Sequence, residues 1–166
     1  MIVEQSRETE LARRRFIEDV GLLFEEMGQP RMAGKILGSL LICHPPYLSA
    51  TELIDVTGGS KASISTMTRL LIQVGFLEKV GIPGKKKIYF RIKEGSFSEL
   101  LKDRLSIIKA LTTFAERGMD LVAETDTFQY NRLSDIRDLY IYFGRELPLL
   151  LENWENNRKA RKFEQT

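Results

Sequence analysis

The sequence predicts a mainly α-helical fold class with one small β-hairpin, and three observations support this prediction. Apolar residues recur at helical spacing along most of the 166 residues. Two short amphipathic segments are joined by the glycine turn Gly58-Gly59. Directly after them, two segments rich in β-forming residues flank a loop at residues 82–87. Because a helix-turn-helix followed by a β-hairpin is a winged helix, we expect a winged helix-turn-helix domain with long helices after it.

The N-terminal part of the chain predicts two helices in close contact. The first runs from about residue 8 to residue 27 and has one apolar face. Pro30 is placed to open the second, at about residues 31–43. Gly34 and Gly38 lie on one face of this second helix. Each costs about 0.5–1 kcal/mol relative to alanine inside a helix, so their presence indicates the close approach of another backbone.

Local capping signals define the helix-turn-helix. Ser49 and Glu52 have the spacing of a capping box, which predicts the start of a short third helix. Ser60 is placed to cap a fourth helix at residues 61–74. At 100° per residue, the apolar side of this fourth helix faces the domain. The outward side, with the exposed N-terminal end, carries the residues that we predict to contact DNA: Ser60, Lys61, Ala62, Ser63, Ser65, Thr66 and Arg69.

These outward residues suit the major groove of a DNA duplex. Small side chains let a helix lie deep in the groove, and Ser and Thr hydroxyls can donate to base edges or phosphates. Arg69 can bind guanine O6 and N7 through a bidentate fork. The helix N-terminus adds a favourable site for a phosphate. The alternative is an ordinary polar face that contacts only solvent.

The hairpin concentrates positive charge in a chain that is close to neutral. The whole sequence has 25 basic and 23 acidic residues, for a net charge of +2. Residues 60–93 nevertheless hold eight basic residues and one acidic residue, which is typical of a site for a polyanion. We predict strands at about residues 76–80 and 88–92. The loop between them carries Lys85, Lys86 and Lys87, which we expect to contact phosphates without reading sequence.

The C-terminal part predicts helices that need a partner. We expect one helix over about residues 96–124, a break at 126–131, and a last helical region with a kink or restart at Pro148. The first of these helices is apolar on two sides. One of its stripes is our predicted dimer interface with a second copy of the chain: Leu101, Leu105, Ile108, Ala115, Met119 and Val122. A second stripe lies beside it: Phe97, Leu100, Ile107, Leu111, Phe114 and Leu121.

We therefore expect a DNA-binding domain at residues 1–95 and a helical dimerisation region at residues 96–166. The helix at residues 8–27 is a further candidate for the dimer surface. The direct neighbours Cys43-His44 are the lone cysteine and the lone histidine, and we find no catalytic or metal-binding constellation. We expect neither enzymatic activity nor a cofactor. No signal peptide or membrane-spanning run is evident, so we expect a cytoplasmic protein.

Three segments resemble a known family. Residues 28–38 (GQPRMAGKILG), with residues 60–65 (SKASIS) and Arg69-Leu70-Leu71, look like the GbsR branch of the MarR-type transcriptional regulators. The likeness covers about residues 12–95. It implies a homodimeric regulator from a bacterium or archaeon, usually a repressor, in which the helix at residues 61–74 reads the major groove, the hairpin is the wing, and the terminal helices dimerise.

The resemblance leaves a small-molecule effector open, because some members of that branch respond to choline or glycine betaine. Several aromatic side chains could form a cage for a quaternary ammonium, although helical spacing favours a core role for them: Phe114, Phe128, Tyr130, Tyr140, Tyr142, Phe143 and Trp154.

The function that we predict is a homodimeric transcription factor, a repressor in the commoner case, that binds a pseudo-palindromic operator in double-stranded DNA. The rival interpretations are a winged helix for protein–protein contact and one that binds RNA. The basic wing and the small outward residues argue against the first rival. Arg13-Arg14-Arg15 could touch DNA or face solvent, and we favour solvent.

Overall fold

The computed structural model describes residues 2–122 and 126–164. Within these residues the chain has six α-helices and three β-strands, and it divides into two compact units, Met1–Ser96 and Phe97–Thr166. The elements are α1 (Ile2–Glu26), α2 (Arg31–Ile42), β1 (Leu48–Ser49), α3 (Ala50–Thr57), α4 (Lys61–Gln73), β2 (Leu77–Gly81), β3 (Ile88–Ile92), α5 (Ser96–Met119) and α6 (Thr127–Glu164). This mainly helical winged-helix fold confirms the predicted fold class.

The first unit is built on a close crossing of α1 and α2. A Cβ atom placed on Gly34 would lie 2.5 Å from the backbone oxygen of Val20 and 2.8 Å from the Phe24 side chain. A Cβ on Gly38 would lie 3.1 Å from the Val20 side chain. The two glycines therefore allow α1 and α2 to approach closely. This confirms the close backbone approach predicted from glycines inside a helix. Side chains from α2, α3, α4 and the sheet then form the core: Ala33, Ile36, Leu37, Leu40, Leu53, Ile64, Leu71, Leu77 and Phe90.

Ion pairs also join α1 and α2 at this crossing. The Glu18 carboxylate accepts from Lys35 Nζ at 2.7 Å and from Arg31 at 3.0 Å. These hydrogen bonds, the Lys35 bond first, hold the pKa of Glu18 below its ordinary value. The segment around Pro30 and Gly34, which carried part of the family resemblance, thus has a structural role at this helix crossing.

The three strands form an antiparallel sheet in the order β1-β3-β2. Strands β2 and β3 are the predicted hairpin, with Glu78 opposite Arg91 and Val80 opposite Tyr89. Strand β1, which pairs Leu48 with Phe90, was not predicted from the sequence. Its two residues carry too little pattern to be recognised, and it exists only because a strand distant in sequence lies beside it.

The second unit consists of α5 and α6, which run antiparallel. Leu133 contacts Gly118 at one end of the pair, Gly144 lies against Ile108, and Lys102 Nζ is 2.6 Å from Glu155 at the other end. A Cβ on Gly118 would be 2.9 Å from the Leu133 side chain, so this glycine admits a close contact between the helices.

The observed helix bounds of this unit differ from the predicted ones. The break at 126–131 is absent over most of its length, because the Asp126 carbonyl accepts from the Tyr130 amide at 3.0 Å and α6 starts at Thr127. Of the kink or restart predicted at Pro148, the restart is absent, because α6 continues through this residue. One proline removes a single backbone hydrogen bond, and the turns on both sides keep theirs. Helix α5 ends at Met119, earlier than the predicted end near residue 124, which itself lies outside the described residues.

Candidate nucleic-acid interface

Helix α4 presents the outward face that its sequence predicts. The Ser60 hydroxyl accepts from the Ser63 amide at 3.2 Å and caps the helix N-terminus. Ile64 and Leu71 are buried, as is Thr68, whose hydroxyl donates to the Ile64 carbonyl at 2.8 Å. Ser63 is partly exposed, and the other predicted DNA contacts are exposed: Ser60, Lys61, Ala62, Ser65, Thr66 and Arg69.

The turn before α4 is held by side chains of α3. The predicted capping box is present: the Ser49 amide donates to the Glu52 carboxylate at 2.7 Å, and the Glu52 amide donates back to the Ser49 hydroxyl. Gly58 has the left-handed φ of +70° that ends the helix. The Thr57 hydroxyl accepts from the Gly59 amide at 3.2 Å. These bonds fix the start of α3 and the turn that leads from α3 into α4.

The capping box also affects the ionisation of Glu52. Its hydrogen bond from the Ser49 side chain, and then that from the Ser49 backbone, holds the pKa of Glu52 below its ordinary value. The ammonium groups of Lys85 and Lys87 lower this pKa further. The wing therefore lies near enough to the start of α3 for its charges to act there.

A tight turn shapes the tip of the wing. The Lys85 amide donates to the Ile82 carbonyl at 3.0 Å, and Gly84 has a φ of +78°. Proline at the second position and glycine at the third, as in Pro83-Gly84, are typical of a type II turn. All three predicted wing lysines are exposed. On the adjoining strands, Arg91 pairs with Glu78 at 2.6 Å, so the acidic residue of the hairpin is neutralised.

One wing lysine differs from the other two in its contacts. Lys85 Nζ lies over the ring of Tyr47 at 5.5 Å from the centroid and over the ring of Tyr89 at 5.2 Å. The two rings are 5.1 Å apart in an edge-to-face arrangement. Sequence reasoning missed this cluster. Tyr47 precedes β1, and its closeness to the wing depends on the pairing of β1 with β3.

The predicted dimer residues of α5 differ in their exposure. Leu101 is half exposed, Ala115 is fully buried within the chain, and the other four are partly buried. Met119 accepts a hydrogen bond from Arg137 at 3.7 Å, so part of this stripe contacts α6. The second stripe is the more exposed one: Phe97, Ile107, Phe114 and Leu121. Beside it, a groove of about 640 Å³ is lined by α5 residues that include Phe114, and by Leu121 just after the helix.

Most of the aromatic side chains considered for a cage are exposed in this unit. Phe114, Phe128, Tyr142, Phe143 and Trp154 are exposed, which corrects the core role that we favoured for these five, whereas Tyr130 and Tyr140 are partly buried. An arginine from the same helix covers three of these rings, in the pairs Arg132 on Phe128, Arg145 on Tyr142 and Arg158 on Trp154. Each of these three rings already faces a cation of the protein itself.

Other candidate chemistry is limited in the part of the chain that the structure describes. Burial raises the pKa of the Cys43 thiol above its ordinary value, which favours the unreactive protonated form. No group of three or more metal-ligating side chains occurs among residues 2–122 and 126–164. A search of the same residues finds no helix both long and apolar enough to cross a bilayer.

A capped helix with a small polar outward face, followed by a hairpin with a basic tip, defines a winged helix-turn-helix protein. A family model described as an MmpR5-like MarR family transcriptional regulator matches residues 95–157. The HTH-type transcriptional regulator MmpR5 of Mycobacterium tuberculosis (strain ATCC 25618 / H37Rv) is 34% identical over 127 residues, which are 76% of this chain and 77% of that protein. The crystal structure of a transcriptional regulator, 30% identical, matches 87% of this chain and 99% of its own with a TM-score of 0.70. The chain belongs to the MmpR5-like MarR family of transcriptional regulators, and it is a DNA-binding transcription regulator.

Proposed function

We propose that the chain acts as a homodimeric repressor that binds a pseudo-palindromic operator. The observation that carries this proposal is the outward face of α4, which is exposed along its length and sits beside a basic wing. In a dimer, two such helices related by a two-fold axis enter successive major grooves about 34 Å apart. The operator then consists of inverted half-sites one helical turn apart.

Within each half-site the side chains divide into two kinds of contact. Arg69 reads a guanine through its fork, and Ser65 and Thr66 lie against base edges or the phosphates beside them. The start of α4, with Ser60, Lys61 and Ser63, binds a phosphate at the helix N-terminus. Lys86 and Lys87 in the wing bind phosphates of the flanking duplex, which strengthens binding without reading its sequence.

The second unit supplies the dimer contact in this proposal. Isolated apolar side chains are common on protein surfaces, but a contiguous exposed apolar face is typical of an interaction site. Ile107 and Phe114 are seven residues apart on one side of α5, Leu121 follows just after the helix, and all three are exposed and together offer such a face. A second copy of the same chain covers it in a two-fold arrangement.

Three narrower statements belong to the same proposal. The segments at residues 28–38 and 60–65 support a place close to the GbsR branch. A cytoplasmic location follows from a DNA target, and the absence of catalysis follows from a regulatory role. Any small-molecule effector would act by changing the spacing of the two α4 helices, which is the geometric requirement for operator binding.

Selection of bound duplexes from a random DNA pool, at about 150 mM salt, tests this function directly. We expect an inverted repeat with half-sites about one helical turn apart. Recovery of no motif, with binding that vanishes as salt rises, would contradict operator recognition. Tighter binding to RNA duplexes or loops than to any DNA would favour the RNA-binding alternative.

A further inference from the structure

The three wing lysines occupy different surroundings although they are consecutive. Lys85 contacts the rings of Tyr47 and Tyr89, and it acts on the Glu52 carboxylate. Lys86 has no hydrogen bond, ion pair or ring contact with any residue that the structure describes. A cation over an aromatic ring is attracted by the ring quadrupole, so Lys85 has an internal partner that Lys86 lacks.

The aromatic partners of Lys85 are themselves held in place. Tyr89 lies in the central strand β3, is only 6% exposed, and contacts Tyr47 edge-to-face. Tyr47 immediately precedes β1, whose Ser49 pairs with Tyr89. Both rings therefore belong to the folded base of the wing. Lys85, by contrast, closes the Ile82 turn at the tip.

We propose that Lys85 is a positioning residue: its ammonium, seated on Tyr47 and Tyr89, ties the tip of the wing to the sheet and so presents Lys86 and Lys87 to the DNA backbone. Lys85 itself makes no phosphate contact in the complex. The last strand pair of the hairpin is Gly81 with Ile88, so strand pairing does not itself fix the direction of the loop at residues 82–87. The seat on the two rings provides an anchor for the loop from within the same unit. This inference rests on the proposed mode of DNA binding.

Salt dependence separates a positioning lysine from a phosphate-binding one. Each phosphate neutralised contributes about −0.9 to the slope of log K against log salt. We expect Lys86→Met to flatten the slope by close to that amount. We expect Lys85→Met to weaken binding by roughly two- to fivefold at every salt concentration, which is the range of an exposed cation–π contact. We expect it to change the slope by less than half as much as Lys86→Met does. Lys85→Arg, which keeps a cation over the rings, should restore the affinity.

The affinities are measured by fluorescence anisotropy on one fixed duplex, the sequence selected from the random pool or, if none is selected, a 30-base-pair random duplex. The unsubstituted chain is titrated first. If it does not bind that duplex, the proposed function fails, and the next measurement still decides whether Lys85 contacts the two rings. Equal slope changes for Lys85→Met and Lys86→Met, or an unchanged affinity for Lys85→Met, would overturn the positioning role.

The contact of Lys85 with the two tyrosine rings can also be measured without DNA. Ring currents of Tyr47 and Tyr89 should shift the ε-methylene protons of Lys85 upfield of those of Lys86 in the NMR spectrum of the free protein. Tyr47→Leu should reduce this shift, whereas Tyr47→Phe, which keeps the ring, should retain most of it. Identical shifts for the two lysines in the folded, unsubstituted protein would show that the seat is not occupied, and the proposal would be wrong.

Discussion

Single residues on α4 have separate tasks that follow from their place on the helix. Arg69 is exposed in the second half of the helix, where a long side chain can reach a base edge. Lys61 is exposed at the first turn, where positive charge and free amides suit a phosphate. The two residues therefore allow base recognition and backbone binding to be tested within one helix.

Arg69→Ala should cost about 1–3 kcal/mol of DNA binding and relax base preference at one position in each half-site, because a bidentate contact to guanine is lost. The measurement is a titration against duplexes that carry each base at every operator position. Lys61→Ala is the matched control and should weaken binding to all of them about equally. Equal losses for Arg69→Ala on the operator and on random duplexes would contradict base reading by Arg69.

At the scale of residues, local pattern predicts most of this site. The rotation of α4 separated Ile64, Thr68 and Leu71 from the outward residues, since burial follows helical period directly. The pairing of Lys85 with Tyr47 could not be predicted in this way. These two residues are distant in sequence and meet only through the pairing of β1 with β3. No local spacing reports such a contact.

Among the secondary-structure elements, the α1–α2 crossing is the one most sensitive to a single added methyl group. Gly34→Ala should destabilise the fold by about 1–3 kcal/mol, because its Cβ would meet the Val20 backbone oxygen at 2.5 Å, which a flexible side chain cannot relieve. Urea unfolding at a fixed protein concentration measures this change.

Gly38→Ala is the control for that substitution. Its Cβ would meet the Val20 side chain at 3.1 Å, and the gain in helix propensity of about 0.5–1 kcal/mol opposes this tighter packing. The unfolding free energy should therefore change little. A loss for Gly34→Ala no larger than that for Gly38→Ala would show that the two helices can separate at low cost.

The start of α3 should give stability that depends on pH. The pKa of Glu52 is below its ordinary value of 4.5, mainly because the Ser49 hydroxyl donates to the carboxylate. A lowered pKa means that the charged group stabilises the fold above about the ordinary value, and that this contribution is lost as the pH falls through the folded-state pKa. Glu52→Ala should cost about 0.5–1 kcal/mol at neutral pH.

The difference in unfolding free energy between the unsubstituted chain and Glu52→Ala should then shrink as the pH falls below 4.5. Glu52→Gln is the control, since its amide oxygen can still accept from Ser49 but does not titrate. The Gln and Ala variants should therefore differ by the same amount at each pH. A cost for Glu52→Ala that is constant from neutral to acidic pH would contradict a role for the carboxylate charge.

Element boundaries were predictable where a capping signal marks them and less so elsewhere. Helix α3 starts after Ser49 and α4 after Ser60, as their side-chain bonds require. The start of α6 was missed because Gln129 is the one residue of high helix propensity in residues 127–131. Where propensity is weak, tertiary packing decides whether a segment is helical. Here the contact of Leu133 with Gly118 holds this part of α6 beside α5.

For the whole molecule, α5 leaves an apolar surface that a single chain does not cover. Phe114 is 63% exposed and Leu121 is 87% exposed. The sequence analysis assigned the first stripe to the dimer, but both stripes follow helical spacing equally well, so spacing alone could not show which of them faces α6. The structure shows Ala115 of the first stripe buried and Ile108 against Gly144, so the second stripe has more surface to offer a partner.

Phe114→Glu should convert the proposed dimer to monomers. Two-fold symmetry removes two buried phenylalanines at once, roughly 3–6 kcal/mol, which weakens association at least a hundredfold. Sedimentation velocity over a range of concentrations measures this, and binding to a full inverted repeat should fall while binding to one half-site changes little. Glu116→Ala is the control, since two residues along the helix place this exposed side chain on the opposite side from Phe114. A Phe114→Glu variant with unchanged dimer mass would exclude this stripe as the interface. The first stripe, with Leu101, would then be the candidate interface.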